Sequence, residues 1–354
     1  MSLHVDLALS AQTAYAQLAD VAMSLEVDRG MSHLHGSFSC KTVQGVAYWY
    51  FAYRDLDGRV RQLYVGPDNE RVRAAVEQTR SAQPRPDQAL APLAKAAVAL
   101  GCTPGLPKHV RAVRRLCDYG FFHAGGVLVG THAFIALGNM LGVKWREGGS
   151  TTDVDFAHAG ANLSVALPAD VKVDVHAALA SFEQGFIPMV QLGGGAGTSY
   201  KLSGDPEFQI DFLTSAHRQG DAPLMVPNLN IGLQPLRFME FSLERVTQAV
   251  LFDRNGTAVV VSVPAPERYA VHKLLVVGER SGAMRTKATK DLQQAGALFG
   301  YLLDTGPDDL HAAWRDAVGR GPGWRKRAAQ GLAALRRALP DLPLVGFEAV
   351  MNAA

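Results

Sequence analysis

An α+β fold with a mixed-sheet core is predicted by three features of this chain. Helical and strand-like periodicities are segregated near the N-terminus, interleaved from Phe121 to Val263, and purely helical beyond Pro266. Hydrophobic residues make up 48% and charged residues 19% of the 354, which supplies a packed core and argues against disorder. The stretch from Phe121 to Ala157 reads as an apolar strand, a Gly-Thr junction, a helix and an acidic strand. At about 100–200 residues per domain the length corresponds to two or three units. They are expected at 1–87 (helix and small antiparallel sheet), 88–263 (mixed core) and 264–354 (helices).

The elements follow in order. Met1 to Ala22 is mildly apolar but carries His4, Asp6 and Asp20 without a basic leader, so it reads as a helix and not a signal peptide. Ala14, Leu18, Val21 and Leu25 give helical spacing over Ser10 to Val27. Gly36 to Ser39, Val46 to Arg54 and Val60 to Val65 are strand candidates, with Asp57-Gly58 as a hairpin turn. Glu70 to Arg80 returns to helix. Pro84 and Pro86 each remove a backbone donor, so Ser81 to Asp87 is either a linker or a break between two helices. Leu90 to Tyr119 is helical with a break at Pro104 to Pro107, and the C-terminal helices are interrupted at Thr305-Gly306-Pro307 and Gly321-Pro322-Gly323. No apolar run reaches the roughly 18 residues of a membrane span.

Net charge is +2, which implies no global pull toward nucleic acid or membrane. Arg325, Lys326, Arg327, Arg336 and Arg337 form a local basic run: a phosphate-tracking surface or the solvated face of a helix. Cys40, Cys102 and Cys117 are unpaired in spacing, as expected of a reducing cytoplasm.

The chemistry is expected at Asp153-Val154-Asp155-Phe156. A strand alternates faces, so the two carboxylates point one way while Val154 and Phe156 point into the core. Neighbouring carboxylates repel unless a cation sits between them, and magnesium, which also carries phosphates, is the natural occupant. Asp211, the one acid in the apolar run from Phe208 to Leu213, is a candidate third ligand; otherwise it caps a turn or pairs with an arginine. Gly130-Thr131 opens a helix over His132 to Leu141, where a glycine and the first N–H groups favour a phosphate.

Together these segments resemble the nucleotidyltransferase superfamily that includes DNA polymerase beta, and more closely a bacterial family of nucleotidyltransferase-fold proteins. The resemblance rests on Gly125 to Thr131, Thr152 to Phe156, Asp211 to Leu213 and Arg268 to Leu274, with Tyr48 to Phe51 and Tyr64 to Pro67. It implies a nucleoside triphosphate substrate and two magnesium ions held by Asp153, Asp155 and Asp211. Gly130 and Thr131 would hold the β- and γ-phosphates, and Lys273 is the helical lysine that would assist. The implied activity is nucleotidyl transfer to a hydroxyl on RNA, protein or a small molecule. The alternative is a catalytically weak nucleotide- or nucleic-acid-binding protein on the same fold. Thr131 stands where the superfamily has Gly or Ser, and the spacer to Thr152 is long, implying an extra loop from Lys144 to Ser150.

The remaining features read as structure or stay open. Lys273, Arg280 and Lys287 fall seven apart on one presumed helix; Arg285, Lys287 and Lys290 are expected at the surface or paired, with Asp291 as a partner. Gly193 to Gly197 lacks a Gly-Lys-Ser/Thr ending and precedes strand-like residues, so it is a hairpin connection. His123, His132 and His158 have no metal-ligand spacing. Tyr48 and Tyr50 with Arg54, Arg59 and Arg61 form either a stacking surface for single-stranded nucleic acid or a small sheet's core.

Overall fold

A computed structural model describes residues 3–31, 36–43, 45–54, 60–81, 86–159, 173–183, 185–189, 197–216, 222–279, 285–345 and 347. The chain starts with strand β1 (His4–Asp6) and helix α1 (Leu9–Met31). A meander follows: β2 (Gly36–Val43), β3 (Val46–Arg54) and β4 (Val60–Pro67). Next come α2 (Glu70–Ser81), α3 (Pro86–Ala99), α4 (Pro107–Asp118), β5 (Val127–Val129), α5 (Gly130–Met140), β6 (Val143–Trp145) and β7 (Asp153–Ala157). The middle continues with α6 (Val175–Ala180), β8 (Phe186–Pro188), β9 (Ser199–Leu202), β10 (Asp205–Ser215), β11 (Leu224–Val226), β12 (Ile231–Leu236) and α7 (Met239–Leu243). A hairpin, β13 (Val246–Phe252) and β14 (Ala258–Pro264), precedes α8 (Pro266–Glu279), α9 (Arg285–Thr305), α10 (Pro307–Gly319) and α11 (Pro322–Ala338).

This is the expected mixed α/β architecture. The central sheet has the order β11-β12-β10-β7-β5, with β9 also on β10 and β8 on β9. β7 and β10 run parallel, whereas β5 lies antiparallel on β7. Alternation puts Val154, Phe156, Ile210 and Phe212 fully inside, and the Phe156 and Phe212 rings stack at 5.6 Å. Each acid between them is thereby carried onto the other face.

The C-terminal helices share this core through Leu274, Leu298, Leu310 and Leu335. Helix α11 approaches α8 so closely that a Cβ on Gly331 would stand 2.1 Å from the Leu274 carbonyl oxygen. Arg268 and Arg320 tie the helices with an ion-pair network. Arg268 donates to Glu244, Asp316 and the Phe241 carbonyl, and Arg320 to the same two carboxylates. Helix α1 packs with α3 and the β13–β14 hairpin around Leu18, Leu90, Val250 and Val260.

Three local expectations are corrected. His4–Asp6 is not helical: it pairs antiparallel with β6, Val5 opposite Lys144, because an edge strand offers backbone hydrogen bonds that a fraying helix end lacks. Lys144 and Trp145 accordingly belong to a strand and not to a loop, and the Trp145 indole donates to the Phe134 carbonyl at 2.7 Å. The presumed single helix carrying Lys273 and Lys287 is two, α8 ending at Glu279 and α9 starting at Arg285, so their sevenfold spacing defines no common face. Arg280 lies outside the described residues, as do the Asp57-Gly58 turn, Arg59, positions 82–85 and glycines 193–195. Among the described residues no helix is long and apolar enough to cross a membrane.

Candidate functional site

Sheet register assembles the acids. Asp155 sits opposite Asp211 across the β7–β10 ladder and opposite Val129 across the β5–β7 ladder, while Asp153 pairs with Gln209. All three acids are half-buried. Asp211 accepts hydrogen bonds on one oxygen from Ser199 Oγ at 2.5 Å and Gln209 Nε2 at 2.8 Å. No arginine holds it among the described residues, so its partners are neutral. Asp153 is held lightly by the Thr152 hydroxyl at 3.2 Å. Burial first and the Asp211 charge second push the Asp155 carboxyl up to about 6. Those charges conflict wherever both are ionised.

The Gly130-Thr131 junction lies against this acid. Gly130 has φ +62°, and a Cβ there would stand 2.1 Å from Asp155 Oδ2, so no other residue fits without displacing the carboxylate. Val129 at the cap of α5 offers no side-chain acceptor, leaving the first N–H groups of that helix free of a cap. The resemblance implies a phosphate contact at Thr131. In the structure Thr131 is 4% exposed and its hydroxyl meets Gln294 Nε2 at 3.4 Å.

Two C-terminal helices brace the junction. The Tyr269 hydroxyl of α8 shares its one proton between the Gly130 carbonyl and Gln294 Oε1, each at 2.9 Å, and Gln294 donates to the Gly148 carbonyl at 2.8 Å. Lys273, one turn on from Tyr269, donates to Asp291 at 2.7 Å with its ammonium 5.2 Å from the Tyr269 ring. Burial opposes its charge, but Tyr269, Asp291 and Asp155 outweigh this and hold the amine above the usual lysine range. Lys290 is half-buried and paired, with the Ser150 carbonyl at 2.6 Å and not with Asp291, which brings it to the site mouth. Burial and then Lys273 push its amine down, while Asp155, Asp291 and Asp153 partly restore it. Lys287 stays exposed. Spacing could not have found Lys290, because its place depends on where α9 starts.

Does the site fit a divalent cation? Among the described residues no group of three or more His, Cys, Asp or Glu side chains is arranged to hold a metal ion, so the three aspartates form an open row and not a cage. Magnesium is usually bound through one or two carboxylates together with substrate phosphates and water, and not in an all-protein cage. The hard oxygen donors, the unresolved repulsion between Asp155 and Asp211, and the adjacent uncapped helix start match that chemistry.

Other candidates separate from this site. His109 Nδ1 and His132 Nε2 meet at 3.0 Å in the core, a contact between helices; His158 Nε2 meets the Ala124 carbonyl at 2.7 Å. On the N-terminal meander the Tyr64 ring, 58% exposed, lies 5.9 Å from Tyr48 and 5.8 Å from Tyr50. Tyr64 is thus exposed, while Tyr48 and Tyr50 are half-buried. The side chains of Arg54 and Arg61 lie outside the described residues. Arg325, Lys326, Arg336 and Arg337 are exposed on α11, whereas Arg327 pairs with Glu279 at 2.5 Å.

Residues 107–319, more than half of the chain, match a family model described as nucleotidyltransferase. Residues 15–74 match a second model, described as a domain of unknown function. A solved structure, that of an antigenic nucleotidyltransferase-like protein from Paracoccidioides brasiliensis, is similar at 16% identity and a TM-score of 0.31. It covers 64% of this chain and 95% of its own. Comparison with curated proteins gives no match.

Proposed function

The chain belongs to the nucleotidyltransferase family, and from that premise we propose that it moves a nucleoside monophosphate from a nucleoside triphosphate to a hydroxyl acceptor. The carrying observation is the register that sets Asp155 beside Asp211 and against Gly130. Asp153, Asp155 and Asp211 would hold magnesium. When bound, two such ions neutralise the triphosphate, activate the acceptor hydroxyl and stabilise the leaving pyrophosphate.

The chain's own groups do the rest. The backbone at Gly130 and Thr131 receives phosphate oxygens, held in place by Tyr269 and Gln294. Ser199 and Gln209 hold Asp211 by one oxygen, which leaves the second for the cation. A bond forms from the acceptor oxygen to the α-phosphorus as the bond to the β-phosphate breaks. The acceptor's proton leaves along the open edge, where the three carboxylates are the available bases. A terminal RNA hydroxyl, a protein hydroxyl and a small-molecule hydroxyl are the acceptor classes, and the cytoplasm is the compartment we propose.

A second reading is favoured by the buried Thr131 hydroxyl and the open aspartate row: nucleotide binding without turnover. One experiment separates the two. The protein is incubated with each labelled nucleoside triphosphate, magnesium and cell extract, beside Asp155→Asn. Label moving into one fraction with wild type alone supports transfer; binding without any labelled product supports the second reading.

A further inference from the structure

The family resemblance points to Lys273 for the triphosphate, yet the structure gives that ammonium a partner. Lys273 is 14% exposed and hydrogen-bonded to Asp291, itself 6% exposed, beneath the Tyr269 ring. A cation neutralised by a buried carboxylate has little charge left to offer a ligand, and drawing it away would break a buried ion pair. Lys290 stands differently. It lies one residue before Asp291 on α9, is half-buried, and its hydrogen bond goes to a neutral group, the Ser150 carbonyl. Its charge is felt by Asp155 and by His132, next to the phosphate junction. Gln294, one turn further along the same face, touches Thr131 and Gly148, so this turn of α9 borders the junction.

Resting on the transferase reading above, we propose that Lys290 grips the terminal phosphates of the nucleoside triphosphate, while Lys273 serves as a strut that fixes Asp291 and α8. The exchange is chemically simple. A phosphate oxygen replaces the Ser150 carbonyl as acceptor, turning a neutral acceptor into an ionised one, and such charge-assisted bonds are roughly twice as strong. A lysine suits this role because its ammonium is a point charge on a flexible stem that can swing from one acceptor to the other.

The test is equilibrium binding of ATP, GTP, CTP and UTP, each with magnesium, and of the corresponding monophosphates, to intact wild type and variants. Lys290→Met is expected to lose about tenfold or more in affinity for the preferred triphosphate. It should keep the monophosphate affinity and the thermal midpoint of wild type, and Lys290→Arg should recover most of the loss. Lys273→Met should instead lower the thermal midpoint. Undiminished triphosphate binding by Lys290→Met, or an equal loss for the monophosphate, overturns the assignment. Wild type that binds none of the four overturns the transferase reading and the assignment with it.

Discussion

Helix α8 carries charge to two regions that differ in how that charge is balanced. Toward α10, Arg268 and Arg320 meet Glu244 and Asp316 in a closed network, each carboxylate shared by both arginines. Toward the sheet, Asp155 sits opposite Asp211, Asp153 and Asp211 accept hydrogen bonds from neutral groups, and the Lys273 ammonium is already committed to Asp291. The first region is complete without a ligand. The second holds surplus negative charge in a partly buried place, where burial first and the Asp211 charge second push the Asp155 carboxyl up to about 6. Pairing marks architecture here, and its lack marks the place where a cation and a phosphate would belong.

The strongest way to break that comparison is to neutralise one acid. Asp155→Asn should lower transfer by about two to three orders of magnitude, as loss of a group stabilising transition-state charge does. It should fold with undiminished stability in metal-free buffer, because a repulsion has gone. Asp153→Asn should lower transfer by a comparable factor. Turnover assays beside thermal melts decide the point, and wild-type turnover in either variant removes the proposed mechanism.

The architectural network should respond the opposite way. Arg268→Met leaves Glu244 and Asp316 to Arg320 alone and removes the bond to the Phe241 carbonyl. Those carboxylates are 39% and 35% exposed, so water compensates part of the loss, and destabilisation of about 1–3 kcal/mol is expected. Urea unfolding measures it. Nucleotide affinity should stay within about twofold, a change below 0.5 kcal/mol. A large affinity loss at unchanged stability would place Arg268 in the site instead.

Asp211 sharpens the comparison further. Its neutral partners can also satisfy an amide, so Asp211→Asn should keep metal-free stability within about 1 kcal/mol of wild type. The Asp155 carboxyl should then titrate lower, because burial remains but the neighbouring charge has gone. Carboxyl infrared titration reads that shift, and an unmoved Asp155 would mean that the two acids do not interact.

Much of this was legible in the chain because strand alternation is a local rule. With Val154, Phe156, Ile210 and Phe212 demanded by the core, Asp153, Asp155 and Asp211 have one remaining face, and the Gly-Thr junction needs only its own residues. What the sequence withheld depends on distant pairing. The three-residue strand β1 exists because β6 accepts it more than 130 residues away. Lys273 was readable as a helical lysine, but its partner is set by the packing of α9 on α8, and the same packing swings Lys290 into the mouth. The His109–His132 contact joins two helices 23 residues apart, which no metal-ligand spacing announces.

That histidine pair gives an intermediate case, with charge suppressed and not paired. Burial pushes His109 down to about 4 and His132 to about 3, whereas unfolded histidines titrate near 6.5. Between those values the unfolded chain binds more protons, so this contribution is full above pH 6.5 and is lost as pH falls toward 4. Asp155 acts oppositely. Its folded carboxyl binds the proton more tightly than the unfolded one, so its contribution is present below 3.8 and fades as pH rises through about 6. The two slopes oppose each other in the same window. Stability of Asp155→Asn in metal-free buffer should therefore climb more steeply from pH 4 to 6.5 than that of wild type. The excess cannot exceed about 1.4 kcal/mol per pH unit for one proton. Parallel curves would mean that Asp155 titrates normally in the folded protein.

The smallest effect is expected on α11, where the same contrast recurs at the surface. Arg327 pairs with Glu279, which also receives Arg237, while Arg325 and Lys326 lie exposed on the same turn. Reversing the exposed pair (Arg325→Glu with Lys326→Glu) should change stability by no more than about 0.5 kcal/mol. Arg327→Glu should lose about 0.5–1 kcal/mol, since it repels Glu279 at a partly screened site. Neither change touches the aspartate row, so triphosphate affinity should hold in both. If the acceptor is a single-stranded RNA that tracks this helix, the exposed reversal alone should flatten the salt dependence of RNA binding. Each lost phosphate contact removes about 0.7 from the slope of log affinity against log salt. An unchanged slope would confine these side chains to solvation and direct the search for the acceptor to the exposed Tyr64 of the N-terminal meander, where Tyr64→Ser is the next variant to measure.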